Sequence, residues 1–321
     1  MKRLSCGRKE VREVRELHNK VAFITGGASG IGLGIAMACV QAGMKAVLAD
    51  MRQDHLDHAL DLFKQRAQEK SVHAILLDVT DRSAFERAAD EAERVFGKVN
   101  LLCNNAGIGI AGPFKQGTYA DWDWGLGVLL GGVINGTITL VPRIIKHGEG
   151  GHIVSTASMA GVIVVPNCSI YNTAKAAVIA LSETLRSELA GDNIGVSAFC
   201  PGPVLTNIGE GAKLRPEKYK KDSGLAAYEE QRRQQMAAAQ PSGPPPWMSI
   251  EECGERVLHG IERNDLYIFT HREFKEGVAE RMEAMVASFP DEAINQTRAA
   301  AIPFLTSNPI FKQAIEAAKA K

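Results

Sequence analysis

Within SIYNTAKAAVIALSETLRSEL, Tyr171 and Lys175 stand four residues apart, the spacing that places two side chains on one helical face. A phenol with a reference pKa of about 10 is a poor base at neutral pH. An ammonium beside it favours the phenolate and lowers that pKa. Tyr171 could then take the proton from a substrate hydroxyl as hydride leaves, or return it in the reverse direction. Of the five tyrosines, only this one has lysine four residues on, although the pair alone reads equally well as an exposed helix contact. Thirteen residues upstream, Ser158 follows the apolar run HIVST, where a hydroxyl could hold the reacting oxygen.

A second cluster suits a phosphate. VAFITGGASGIGLG sets Gly26, Gly30 and Gly32 between an apolar run and a helical pattern. Glycine permits the positive φ of a tight turn and lets backbone N–H groups approach a pyrophosphate, while the following helix directs its positive end there. Asp50 ends the next apolar run, AVLAD, 18 residues after Gly32. That is close to the roughly 20 expected for an acid that binds the adenosine ribose. A carboxylate there accepts from both ribose hydroxyls and repels a 2′-phosphate, and Ser29 in the turn adds no cation. The pattern favours NAD over NADP, although Arg52 lies close by.

These residues need a scaffold. From residue 20 to about 200, short apolar runs alternate with helical patterns, which predicts βα units around a parallel sheet. The expected strands are Val21–Thr25, Ala46–Asp50, Val72–Leu77, Val99–Asn104, His152–Thr156 and Gly195–Cys200, with Leu266–Thr270 as a seventh. Their Val, Ile and Leu content fits strands covered on both faces. The fold class is therefore α/β, a parallel sheet with a helical C-terminal extension; the family resemblance set out below implies that the sheet is Rossmann-type and doubly wound. An N-terminal extension (1–19) would precede a dinucleotide-binding catalytic domain (20–271), and the helical extension (272–321) would follow it. Within the domain, about 208–240 is polar and predicts a mobile helical flap. A capping box at Ser249 and Glu252 opens a further helix after the proline-rich QPSGPPPW.

Lysines and arginines number 37, as do the acids, with no long run of either sign. Nucleic acid needs a basic face, and none is expected here. Six scattered cysteines lack zinc spacing, so no metal is expected, and they read as core thiols of a reducing compartment. No run approaches the roughly 18 apolar residues of a membrane span, so a cytoplasmic chain is expected. His152 and the pair Trp122 and Trp124 read as structural, the tryptophans as packing at the start of a helix.

TGGASGIG, LDV, NNAG, a serine thirteen residues before YNTAK, and PGPVLT stand in this order across residues 20–207. Together they resemble the short-chain dehydrogenase/reductase family. The resemblance implies an NAD-dependent alcohol dehydrogenase with catalytic Ser158, Tyr171 and Lys175, the lysine also bonding the nicotinamide ribose. It implies that Gly26, Ser29, Gly30, Ile31 and Gly32 cradle the cofactor phosphates. Asp78 and Val79 would flank the adenine, and Asn105, Ala106 and Gly107 would line the cofactor channel. Pro201, Gly202, Val204 and Thr206 would hold the carboxamide. Val162 to Val165 would wall the substrate site or simply pack beneath the loop, and a homodimer or homotetramer is implied. The family usually carries an asparagine in the helix before the serine strand, where it holds a proton-relay water. Here Leu129 aligns with that position, and Asn135, six residues on, does not take over the role.

The WDW…GVINGTITLVPRII helix, the KLRPEKY flap and the NDLYIFTHREFKEGV passage are similar to bacterial Cα-dehydrogenases that oxidise benzylic alcohols in lignin-derived β-aryl ethers. The expected partner is thus a small hydrophobic alcohol or ketone, bulky or aryl, with a steroid or another hydrophobic alcohol as the alternative substrate. The rival reading, resting on Leu129, is an NAD-binding protein with weak or no catalysis.

Overall fold

The structure, a computed structural model, describes residues 17–238 and 246–319. Most of the N-terminal extension and of the proline-rich stretch lies outside the described residues. Seven strands form one sheet: β1 (Val21–Thr25), β2 (Lys45–Asp50), β3 (Val72–Leu76), β4 (Val99–Asn104), β5 (Gly151–Thr156), β6 (Ile194–Cys200) and β7 (Tyr267–Phe269). All pairings are parallel, in the order β3-β2-β1-β4-β5-β6-β7. Each expected strand is present within a residue or two of its predicted ends. The reason is burial: β1, β4, β5 and β6 are buried at every position, so apolar residues dominate them and their few polar side chains must find partners inside.

Helices cover both faces. On one side lie α1 (Gly30–Gln41) and α2 (Gln53–Gln65), and on the other α3 (Arg82–Phe96). A continuous helical stretch follows as α4 (Tyr119–Leu126), a π-helical turn at Gly127–Gly131, and α5 (Gly132–His147). After β5 come the short α6 (Met159–Val162) and the long α7 (Ser169–Glu188). The chain order reverses between β1 and β4, which opens a crevice at the C-terminal ends of those strands.

The stretch Tyr119–His147 corrects one expectation. It is 29 residues long and contains an 18-residue window of mean hydropathy 1.7, long and apolar enough to cross a bilayer. Here Val133, Leu140, Val141 and Ile144 are instead buried within the protein, and Asn135 donates from Nδ2 to the Val79 carbonyl at 2.8 Å. A core helix beneath a parallel sheet meets the same compositional test as a membrane span.

The flap is built of short helical segments. A 3₁₀ segment (Ile208–Leu214) leads to α8 (Glu217–Lys220) and α9 (Ala226–Ala238). Helix α10 (Ile250–Glu262) then packs across α1 so tightly that glycine is required on both sides. A Cβ on Gly34 would lie 1.9 Å from the Ile250 carbonyl oxygen, and one on Gly254 would lie 2.1 Å from that of Gly34. The capping box at its start is only half made. Ser249 Oγ accepts from the Glu252 N–H at 3.1 Å, but the Glu252 carboxylate pairs with Arg256. After β7 the extension forms α11 (Lys275–Ala287), α12 (Gln296–Ala301), α13 (Pro303–Thr306) and α14 (Pro309–Lys319), none of which buries a residue.

Candidate active site

A cleft of about 470 Å³ opens at the crevice, and residues at the ends of β1, β2, β4, β5 and β6 line it. Its first half begins at the glycine turn. Gly26 has φ +62° and its N–H bonds the Ala49 carbonyl at 2.7 Å, joining the turn to β2. Gly30 has φ +51° and faces Thr206, 3.2 Å from where a Cβ would sit. A Cβ on Gly32 would lie 2.0 Å from the Gly26 carbonyl oxygen, so Gly32 shapes the turn from behind without lining the cleft. Ser29 precedes α1 without capping it through its side chain, and with Ile31 it faces the cleft.

Asp50 is 8% exposed at the end of β2. Its two oxygens accept from the Arg52 N–H at 3.0 Å and the Ala28 N–H at 3.4 Å. Burial raises its pKa, while those bonds and the charges of His55 and Arg52 oppose the rise. Asp78, Val79, Asn105, Ala106, Gly107, Pro201 and Thr206 also line the cleft. Asn105 has a structural task besides: its amide donates to the carbonyls of Thr25 and Gly26 at 3.1 and 3.3 Å, bracing the turn. Gly202 and Val204 do not line the cleft. Gly202 packs on the stacked rings of His271 and Phe274, and the Val204 side chain enters the core. Only their backbone remains for a carboxamide.

The chemistry-bearing residues meet at the other end. Tyr171 and Lys175 occupy the first two turns of α7 and both line the cleft. Ser158 follows β5 and caps α6, its Oγ accepting from the Ala160 N–H at 3.1 Å. It also lies beside the Tyr171 phenol and interacts with it, so the structure brings the three predicted residues together. The expected electrostatics are corrected, however. Burial raises the Tyr171 pKa, and the Ser158 bond, rather than Lys175, works against that rise. The Lys175 Nζ lies 5.6 Å from the tyrosine ring centroid and donates to the Thr156 carbonyl at 2.6 Å. Burial also lowers the lysine pKa to about 8. Spacing placed the two side chains together; depth in the protein decided their charges.

Leu129 is fully buried in the π-helical turn and faces the cleft. It packs against Gly107, close to the Lys175 ammonium. A leucine has no group with which to hold a water. Asn135 lies elsewhere, bonded to Val79. His152 is buried against Ser197 at 2.8 Å, and burial lowers its pKa to about 3, which keeps it neutral.

The apolar wall near Tyr171 differs from the expected one. Ile108, Trp124, Val128, Leu129, Leu214 and Tyr219 supply it. Val162 turns into the core, whereas Val164 and Val165 point outward at 77% and 41% exposure, so Val162–Val165 are not the wall. Trp124 therefore both packs and lines the site, while Trp122 meets Phe114 edge-on.

Sequence reasoning missed the anchor of the flap. Arg215 is 2% exposed and donates to Asp121 at 2.7 Å and to Glu229 at 3.0 Å. Its guanidinium lies 4.2 Å over the Trp124 ring, a cation–π contact. Asp121 also accepts from the Thr118 N–H and hydroxyl, the Ser223 hydroxyl and the Gly224 N–H, all within 3.0 Å. Burial alone would raise its pKa, but these bonds outweigh it and hold the carboxyl down. The flap is thus fixed to α4 beside the substrate wall. One signal was available: Thr118 and Asp121 form a complete capping box at the start of α4.

The Rossmann crevice, the glycine cradle and the apolar chamber fit a nicotinamide dinucleotide, and Asp50 and Tyr171 both line that cleft. The family model for short chain dehydrogenase matches residues 20–216. A C alpha-dehydrogenase of Sphingobium sp. (strain NBRC 103272 / SYK-6) is 41% identical over 276 residues, covering 86% of this chain and 88% of that protein. A short-chain dehydrogenase from Novosphingobium aromaticivorans superposes with TM-score 0.76 at 34% identity, over 95% of this chain and 99% of that one. A short chain dehydrogenase/reductase from Burkholderia phymatum, solved in complex with NAD, gives TM-score 0.76 at 33% identity over 87% and 99%. This chain therefore belongs to the short-chain dehydrogenase family, enzymes that exchange hydride with a nicotinamide cofactor.

Proposed function

We propose that the protein is an NAD-dependent dehydrogenase that interconverts a bulky secondary alcohol, benzylic in character, with its ketone. The observation that carries this reading is that Tyr171 and Lys175 line a cleft that also holds Asp50, with Ser158 beside the Tyr171 phenol. The likeness to a C alpha-dehydrogenase supports the aryl substrate, and the rings of Trp124 and Tyr219 in the wall suit a flat apolar group.

The glycine turn and the start of α1 would hold the pyrophosphate, Asp50 the ribose hydroxyls, and Lys175 the nicotinamide ribose. When bound, the nicotinamide accepts or returns hydride, and in its oxidised form its positive charge favours a phenolate nearby. Ser158 orients the substrate oxygen through its hydroxyl. Tyr171 Oη takes the hydroxyl proton during oxidation and returns it during reduction. The Thr156 carbonyl fixes the Lys175 ammonium at the cleft floor, and the docked flap keeps water from the reacting carbon.

A weakly catalytic NAD-binding protein is the second reading, favoured by Leu129 where a relay water would be held. We further place the chain in the cytoplasm, which Cys39, Cys103, Cys200 and Cys253 support as free, buried thiols. We also propose a homo-oligomer through α5 and α7, supported by the exposed Ile134, Ile138 and Ile145 on α5. Light scattering reads its mass directly.

The decisive test is NADH formation with a panel of aryl and aliphatic secondary alcohols, comparing the wild type with Tyr171→Phe. The expected result is aryl-selective turnover that Tyr171→Phe lowers by at least about a hundredfold, with NADH binding retained. Turnover that survives intact in Tyr171→Phe would refute the mechanism. Tight NAD binding with no turnover on the panel would establish the second reading.

A further inference from the structure

Among the described residues, Arg52 is the one basic side chain that lines the cleft beside the ribose acid, two residues beyond Asp50, apart from the imidazole of His55. A guanidinium there is the group a 2′-phosphate would seek, because it offers paired donors to phosphate oxygens. In this structure the guanidinium is engaged from two sides. Its Nε donates to Asp54 Oδ1 at 3.0 Å and a terminal nitrogen donates to Asp54 Oδ2. The other terminal nitrogen reaches Glu210 Oε2 at 3.4 Å, across the cleft mouth on the flap. Glu210 is itself held by Lys213 at 2.9 Å.

We infer that Asp54 and Glu210 determine cofactor specificity by disarming Arg52. This rests on the NAD reading above and deepens it: Asp50 repels the 2′-phosphate, and the two further acids withhold the cation that could have compensated. Specificity built this way discriminates against the wrong ligand as well as favouring the right one. The arrangement draws one of its parts from the substrate flap, so the flap takes part in choosing the cofactor as well as the substrate. Both acids are substantially exposed, at 65% and 41% of their side chains, and neither is needed to fill the core.

The test uses the full chain in four forms: wild type, Asp54→Asn/Glu210→Gln, the same pair with Arg52→Ala, and Arg52→Ala alone. Dissociation constants for NADH and NADPH are measured by nucleotide fluorescence titration, which does not depend on turnover. The expected result is that the double variant tightens NADPH relative to NADH by roughly tenfold or more, the value of a charge-assisted bond. Adding Arg52→Ala should abolish that gain. If the ratio does not move, or if the gain persists without Arg52, the inference is overturned, the second case showing only a change in bulk charge. NADH affinity is the internal control for folding. Should the double variant lose it, Glu210→Gln alone repeats the comparison at the more distant acid, with a smaller gain expected and an unmoved ratio again overturning the inference. Wild type binding NADPH as tightly as NADH would instead refute the reading of Asp50, which keeps the two failures distinct.

Discussion

The buried Arg215 anchor makes the strongest demand on the structure. In Asp121→Ala, the guanidinium keeps Glu229 as its sole carboxylate partner beside the Trp124 ring, while the Thr118, Ser223 and Gly224 donors lose their acceptor. Removing one partner of a buried ion pair costs about 3–5 kcal/mol, because the remaining charge is left in a poor solvent. Arg215 and Asp121 are 1% and 0% exposed at their side chains, so solvent cannot screen the loss. At roughly 2 °C per kcal/mol for a domain somewhat smaller than this one, the midpoint should fall by about 6–10 °C. If the flap opens before the rest unfolds, protease cleavage between residues 208 and 235 should accelerate and KM for the alcohol should rise more than kcat falls. Chemical denaturation, limited proteolysis and steady-state kinetics read these three effects. The exposed pair Arg256–Glu252, at 45% and 48%, is the control, and its loss should cost no more than about 0.5 kcal/mol. A fall in Asp121→Ala as small as in that control would refute the claim that the flap is held by a buried charge network. The Asp121 pKa is depressed in the folded protein, so its contribution is complete above the ordinary value of 3.8 and is lost as pH falls through the folded value. The variant should accordingly lose less of its remaining stability on acidification than the wild type.

Three further outcomes are expected. Leu129→Asn places an amide in a fully buried apolar position and should lower stability by about 1–3 kcal/mol without raising kcat; a tenfold gain in kcat would show instead that the missing relay limits turnover. Gly254→Ala should cost about 1–3 kcal/mol in denaturation midpoints, because a Cβ would press on Gly34 where α1 and α10 cross, and a neutral result would mean that the helices separate freely. Burial lowers the Lys175 pKa from 10.5 to about 8, so the unfolded chain binds more protons between those values and this group makes stability rise with pH across that window; Lys175→Met should flatten the rise, and an unchanged slope would place its cause elsewhere.

Much of this architecture was legible in the sequence because it is local. The strands are short apolar runs fully enclosed by helices, and β1 and β4 fall on their expected residues. Tyr171 and Lys175 share a helical face by spacing alone, and Leu129 stood out against an ordered set of motifs. What was not legible depends on depth and on distant partners. Arg215 meets Asp121 across 94 positions, and a polar flap sequence gives no sign that one of its charges is sealed inside. The Tyr171 phenol was expected to be lowered by its lysine, yet burial reverses the direction, and burial is a property of the assembled fold. Val164 and Val165 look like a pocket wall in sequence, but both are exposed and neither lines the cleft. The extension after β7 shows helical patterns and forms helices, although it buries none of its residues in this chain.

The reversal of strand order between β1 and β4 has a consequence for survival as well as for catalysis. The seam pairs two strands separated by two intervening βα units, so one half of the sheet could part from the other during unfolding. A dinucleotide lying across that seam touches both halves and binds only while they are joined. By mass action, cofactor at about a hundred times its dissociation constant would add roughly 2.7 kcal/mol to the stability of the folded chain. A cell's NAD supply would then govern how long this protein lasts, in addition to how fast it works.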